Sequence, residues 1–194
     1  MYSLSNYLPA QSVQQVSGWL SKHNCNLKIS SPRKTKFGDY KFSNNQHHIT
    51  INNDLNKYAF LITLTHEIAH MFVFEKYRNS VLPHGTEWKM TFQKLMLNFI
   101  PILPEDIQKS ISYYLKNPKA STDSDVRLSL ALKGNTAENG KNFVFEVPTN
   151  STFVFKNKLY RKGKKRKTRI ECMQITTNRL YLFNQNAEVI VKKL

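Results

Sequence analysis

Between positions 55 and 77 the chain runs without Pro or Gly, and Phe60, Leu61, Leu64, Ile68, Met71 and Phe72 recur at steps of three and four. That spacing predicts a helix with a buried apolar stripe. Asn52, Asn53 and Asp54, just upstream, are residue types whose side chains cap helix N-termini. A second helical pattern, Trp88, Phe92, Leu95, Met96 and Phe99, follows a break at Pro83 and Gly85, with Thr86 available as its cap. Weaker signals predict a first helix over 13–21, strands near 27–30, 35–42 and 48–52, and a further helix over 104–115.

From Phe143 onward the pattern changes. Short apolar runs, among them Phe143-Val144-Phe145, Phe153-Val154-Phe155, Leu180-Tyr181-Leu182 and Val189-Ile190-Val191, are separated by turn residues such as Pro148-Thr149-Asn150 and Lys162-Gly163. They predict a β module of five or six strands. About fifty residues bury little core, so the module is expected to close as a compact barrel or to lean on the first domain. Positions 119–142, rich in Ser, Thr, Asp, Asn and Gly, read as a linker, within which Val126, Leu128, Leu130 and Leu132 alternate as in an extra strand. The expected class is α+β: an N-terminal helix, a three-stranded sheet and further helices over 1–118, a linker over 119–142, and an all-β, barrel-like module over 143–194.

Chemistry enters at His66-Glu67-Ile68-Ala69-His70, inside the first predicted long helix. Residues four apart share a helical face one turn apart, so both imidazoles can meet at one metal ion while Glu67 stands beside its water. The same pair also fits two histidines satisfied within a core. His84 lies in the break between helices, where a loop histidine packed against the first helix would complete the three protein ligands of a catalytic zinc. Its plainer reading is a residue that starts the next helix. Glu87 is open between two roles: holding a ligand histidine from behind, or placing negative charge at a helix N-terminus.

Together, His66-Glu67-Ile68-Ala69-His70 and His84-Gly85-Thr86-Glu87-Trp88-Lys89 resemble the SprT-like metalloprotease family, which includes the Spartan proteases of DNA–protein crosslink repair. The upstream order of one helix and three strands fits as well, so the resemblance covers roughly residues 1 to 118. It implies zincin-type helices around the site, Zn2+ as cofactor, His66, His70 and His84 as its ligands, and Glu67 as catalytic acid and base in a peptide-bond hydrolase. The chain departs from the family at one point. Members often carry a C-terminal zinc ribbon on two Cys pairs, whereas this chain has only Cys25 and Cys172, too few for such a site.

Those two cysteines read as small apolar residues outside any disulfide, and with no signal-like N-terminus a reducing cytoplasm is expected, the nucleoid if the source is bacterial. No run approaches the roughly 20 apolar residues of a membrane span. Charge is uneven: residues 151–194 hold 12 Lys and Arg against Glu171 and Glu188, giving +10 of the chain's +16. The densest part, including Lys162, Lys164, Lys165, Arg166, Lys167 and Arg169, is expected on a hairpin with a cationic tip that binds the phosphates of DNA, single-stranded or duplex. Tyr160 and Phe155 are placed to stack on bases. A solvated edge that discourages strand pairing is the plainer account of the same charge.

His23, His47 and His48 are expected at the surface. Two function classes fit these observations. One is a zinc endopeptidase whose basic module brings it to proteins on DNA. The other is a nucleic-acid-binding protein with a structural, non-catalytic zinc; the presence of Glu67 favours the first, because a structural site needs no general base.

Overall fold

The computed structural model describes residues 3–33, 35–119, 125–133 and 142–191. The chain forms two compact units, Met1–Thr122 and Asp123–Leu194.

In the first unit, α1 (Ala10–Lys22) buries Val16 and Leu20 and leads into β1 (Cys25–Ser30), β2 (Gly38–Ser43) and β3 (Gln46–Asn52). The sheet order is β1-β3-β2, with β1 parallel and β2 antiparallel to β3. Asn44 and Asn45, both with positive φ, make the two-residue turn that lets β2 and β3 pair as a hairpin. One side of β2 has no strand partner among the described residues, and this free edge lies beside the functional cleft.

The central element is α2 (Lys57–Tyr77). Its cap is Asn56, whose side-chain oxygen accepts from the backbone N–H groups of Tyr58 and Ala59 at 3.1 and 2.9 Å. The expected caps fall elsewhere: Asn52 ends β3, its side-chain oxygen accepting from Arg33 Nε at 2.8 Å, and Asn53 and Asp54 form the following turn. Every residue from Phe60 to Ala69 is buried, so the expected stripe is in fact an all-round buried helix. The reason is placement: β2, β3 and α3 (Thr86–Leu97) all pack against it. Gly85 occupies the N-cap position of α3 without a side-chain cap, displacing the expected Thr86 by one residue. The further helix, α4, spans Glu105–Leu115.

The second unit begins with a helix, α5 (Val126–Lys133), where alternation predicts a strand. Leu128 and Ser129 are its buried residues. Over so short a run, apolar residues two apart fit either period, and packing decides. Much of the expected linker, 120–124 and 134–141, lies outside the described residues. Six strands follow: β4 (Asn142–Phe143), β5 (Thr152–Phe155), β6 (Lys158–Lys165), β7 (Arg169–Gln174), β8 (Leu180–Asn184) and β9 (Glu188–Val191). They form one antiparallel sheet in the order β4-β9-β5-β6-β7-β8. Among the described residues β4 and β8 are the two outer strands of the sheet and do not pair with each other. One face carries its core, with Phe153, Tyr160, Ile170, Cys172, Phe183 and Val189 buried together.

Candidate metal centre

His66 and His70 project from α2 one turn apart, and the 78–85 connection brings His84 to them. Two residues in this connection, Arg78 and His84, take left-handed backbone conformations with φ of 53° and 57°. The bend is closed by a hydrogen bond from the Gly85 N–H to Leu82 O at 2.9 Å. The three Nε2 atoms then lie 3.1 Å (His66 to His84), 3.3 Å (His66 to His70) and 2.9 Å (His70 to His84) apart. A tetrahedral zinc with Zn–N bonds of about 2.0–2.1 Å holds its nitrogens about 3.3 Å apart, so these spacings suit one ion bound by all three. Among the described residues this is the single cluster of three or more His, Cys, Asp or Glu side chains with donor atoms within 4.8 Å of one another.

Burial sets the protonation of the three imidazoles. His66 is pushed down to about 2, by burial first and then by the neighbouring His70 and His84; His70 is pushed down to about 3 by burial and His84. His84 is lowered by burial as well. All three rings are therefore neutral near pH 7, each free to present a lone pair to a cation, which is the form a metal requires.

The partner that shapes the triad is Trp88, not Glu87. The indole of Trp88 lies 4.5, 5.3 and 4.7 Å from the ring centres of His66, His70 and His84, and its Nε1–H donates to His66 O at 3.4 Å. Phe92 stacks beneath it at 5.1 Å, nearly parallel. Glu87 sits in the first turn of α3, and among the described residues its carboxylate bonds to no ligand histidine. That position places its carboxylate at the helix N-terminus. In the sequence Trp88 reads as an apolar helix position and as part of the second motif of the family resemblance; nothing in its spacing announces contact with three imidazoles.

Glu67 shares a cleft of about 250 Å³ with the triad, walled by Gly38, Asp39 and Tyr40 from the free edge of the sheet. Its carboxyl is pushed up to about 8, chiefly by burial and then by Asp39, against the opposing pull of Arg33 and Lys36. Gly38 faces it directly: a Cβ at that position would stand 2.5 Å from Glu67 Oε1 and 2.9 Å from its Cγ. The sequence does not single out these strand residues, because nothing in it shows which edge meets the helix.

Two of the histidines expected at the surface are structural. His47 is buried, with Nδ1 2.9 Å from the Tyr40 hydroxyl and Nε2 3.3 Å from Glu75. His23 Nδ1 lies 2.6 Å from the same carboxylate. Burial raises the Tyr40 phenol above its ordinary range and lowers His47, so the consistent assignment is a phenol O–H donating to a neutral imidazole whose other N–H donates to Glu75. This chain of bonds ties β2 and β3 to α2 and fixes Tyr40 as a wall of the cleft, its ring parallel to that of His70 at 6.4 Å.

In the second unit, the expected cationic hairpin is β6–β7, with Arg166, Lys167 and Thr168 at its tip. Lys164, Lys165, Arg166, Lys167 and Arg169 are exposed. Lys162 is not: it is buried, and its ammonium donates to Phe145 O at 2.9 Å and to Val147 O. It belongs to the interior, since its strand position points to the core face. Arg166 is paired with Glu171. Tyr160 is also buried, 5.7 Å from Phe153 and 4.9 Å from Phe183, so its ring serves the core, and the half-buried Phe155 packs at 5.2 Å from Phe183. Cys25 and Cys172 are free thiols. No helix among the described residues is long and apolar enough to cross a membrane.

No curated protein and no solved structure matches the chain. The SprT-like family model matches residues 7–109, a span that contains α1, the three-stranded sheet, α2 with His66, Glu67 and His70, and the connection with His84. That family is generally metal-dependent, and the converging imidazoles are a donor set that can hold a metal ion. The chain belongs to the SprT-like family.

Proposed function

We propose that this protein is a zinc-dependent endopeptidase acting on proteins associated with or crosslinked to DNA, and that the basic β module supplies the nucleic-acid contact. The observation that carries the peptidase reading is the convergence of three neutral Nε2 atoms within 2.9–3.3 Å, in one cleft with a buried carboxyl. His66, His70 and His84 would hold a zinc, with Trp88 fixing their rings, and the ion would supply Lewis-acid polarisation of a peptide carbonyl and make the attacking water more acidic. Glu67 takes the proton of the attacking water on its carboxylate and passes it to the departing amine, a double duty suited to a carboxyl that burial makes more basic than an ordinary carboxylate. The free edge of β2, running past Gly38, Asp39 and Tyr40, offers unpaired backbone groups to an extended peptide.

The DNA part rests on Lys164, Lys165, Lys167 and Arg169, exposed on one hairpin without an ion-pair partner among the described residues. Phosphate neutralisation by such a cluster is indifferent to base sequence, which suits recruitment to proteins anywhere on DNA in a reducing, cytoplasmic compartment. The competing reading, a DNA-binding protein with a structural zinc, predicts a closed four-ligand site; the triad instead opens on a cleft. The test is digestion of casein and of histone by zinc-loaded protein, with and without DNA and chelator, against Glu67→Gln. Cleavage that chelator and Glu67→Gln both abolish, with zinc content unchanged in the variant, is expected. Equal silence of wild type and variant supports the structural alternative.

A further inference from the structure

A second cavity, of about 290 Å³, opens beside the metal cleft and shares Tyr40, His70 and His84 with it. Its remaining surface is mainly apolar: Val73 and Phe74 on the last turns of α2, and Val81, Leu82 and Pro83 on the connection that carries His84. Leu82 stands at the mouth with 77 % of its surface exposed. An exposed leucine on the loop that positions a metal ligand has no packing role, and a hollow of this composition gains by being filled with apolar atoms.

Among the described residues one full charge borders the cavity, the guanidinium of Arg78. It lies 5.1 Å from the Phe74 ring and 5.7 Å from the Phe42 ring, which anchor it at the rim. No carboxylate among those residues lines the cavity. A lysine or arginine side chain placed there loses hydration beside a like charge and finds no counter-ion.

We infer that this cavity is a substrate subsite that receives the side chain of a residue flanking the scissile bond, that it selects a bulky apolar side chain, and that Arg78 excludes lysine and arginine. Because two of its walls are metal ligands, a side chain seated in it belongs to a residue adjacent to the carbonyl under attack. The inference rests on the peptidase reading and adds a rule to it: substrates held near DNA are rich in Lys and Arg, and cutting is directed to the apolar residues between them. Filling an apolar pocket discriminates by about tenfold or more for each side-chain step.

The experiment is digestion of unfolded casein by the zinc-loaded full chain, with every cut mapped by mass spectrometry and Glu67→Gln as background. At one position flanking the cuts, Leu, Met, Phe and Ile are expected about tenfold over Ala, with Lys and Arg depleted below their abundance in casein. Arg78→Glu is expected to raise Lys and Arg at that position several-fold. Val81→Trp, which fills the cavity, is expected to shift the preference to small residues. Cuts without preference at either flanking position, or a preference that neither variant changes, overturn the subsite and leave the peptidase standing. No cuts above the Glu67→Gln background overturn both.

Discussion

Gly38→Ala isolates a single physical demand of the site. Position 38 is not glycine for backbone freedom, since its φ lies outside the left-handed region; it is glycine for space. The added methyl would stand 2.5 Å from Glu67 Oε1, 2.9 Å from Glu67 Cγ and 2.9 Å from Thr63 Cγ2. Ordinary separations of carbon from such atoms begin at about 3.5 Å, so the carboxylate or the strand has to retreat by roughly 0.5–1 Å. Thr63 and Glu67 are both buried on α2, which leaves the carboxylate little room except toward the cleft. Misplacing a catalytic group by about 1 Å costs about a hundredfold in rate, or about 2.7 kcal/mol of barrier. The assay is single-turnover peptide cleavage by zinc-loaded protein, with zinc measured by elemental analysis and folding by denaturant midpoint. The expected result is a loss of about a hundredfold in the cleavage rate, with one zinc per chain retained and the fold intact. A variant that cleaves at the wild-type rate refutes the argument that this missing Cβ positions the base. Loss of zinc in step with activity refutes it too, because the ligands and not Glu67 would then be what moved.

Four further outcomes follow from named groups. His84→Ala, which removes the loop ligand, is expected to lower zinc occupancy at a fixed free-zinc concentration; full occupancy would remove His84 from the ligand set. The metal-free protein is expected to be most stable near pH 6.5: below it, His66 and His70, at about 2 and 3 in the fold against 6.5 unfolded, leave the unfolded chain binding more protons, so stability falls as pH falls. Above it, Glu67, at about 8 against 4.5, leaves the fold binding the extra proton, so stability falls as pH rises toward 8. Urea midpoints at about pH 5, 6.5 and 8 check this, and a midpoint rising steadily across the three contradicts it. In the basic module, replacing Lys164, Lys165, Lys167 and Arg169 with Gln should flatten the dependence of log K for duplex DNA on log salt by about 0.9 for each phosphate that is no longer neutralised. Lys162→Ala should leave that slope alone and destabilise the module by about 1–3 kcal/mol by stranding two buried carbonyls.

The histidine cluster was legible because a helix converts spacing into direction: His66 and His70 four apart can hardly avoid sharing a face, and Pro83 and Gly85 mark the turn that returns His84. The strands of the second unit were legible for a similar reason, since alternation and turn residues are local; their order was not, since β9 pairs between β4 and β5. Whether such a sheet closes is not local, and α5 shows the limit of period counting over a short segment.

The chain's order of residues by itself determined the metal-ligand pattern, the α+β division and the concentration of positive charge near the C-terminus, because each depends on neighbours within a few positions. Tertiary structure alone decided which lysine of the basic run turns inward, which strand edge walls the cleft, that Trp88 and not Glu87 braces the imidazoles, and that Gly38 makes room for Glu67. Those outcomes join residues tens of positions apart through distance and burial, and no local period encodes the meeting of two elements that come together only when the core closes.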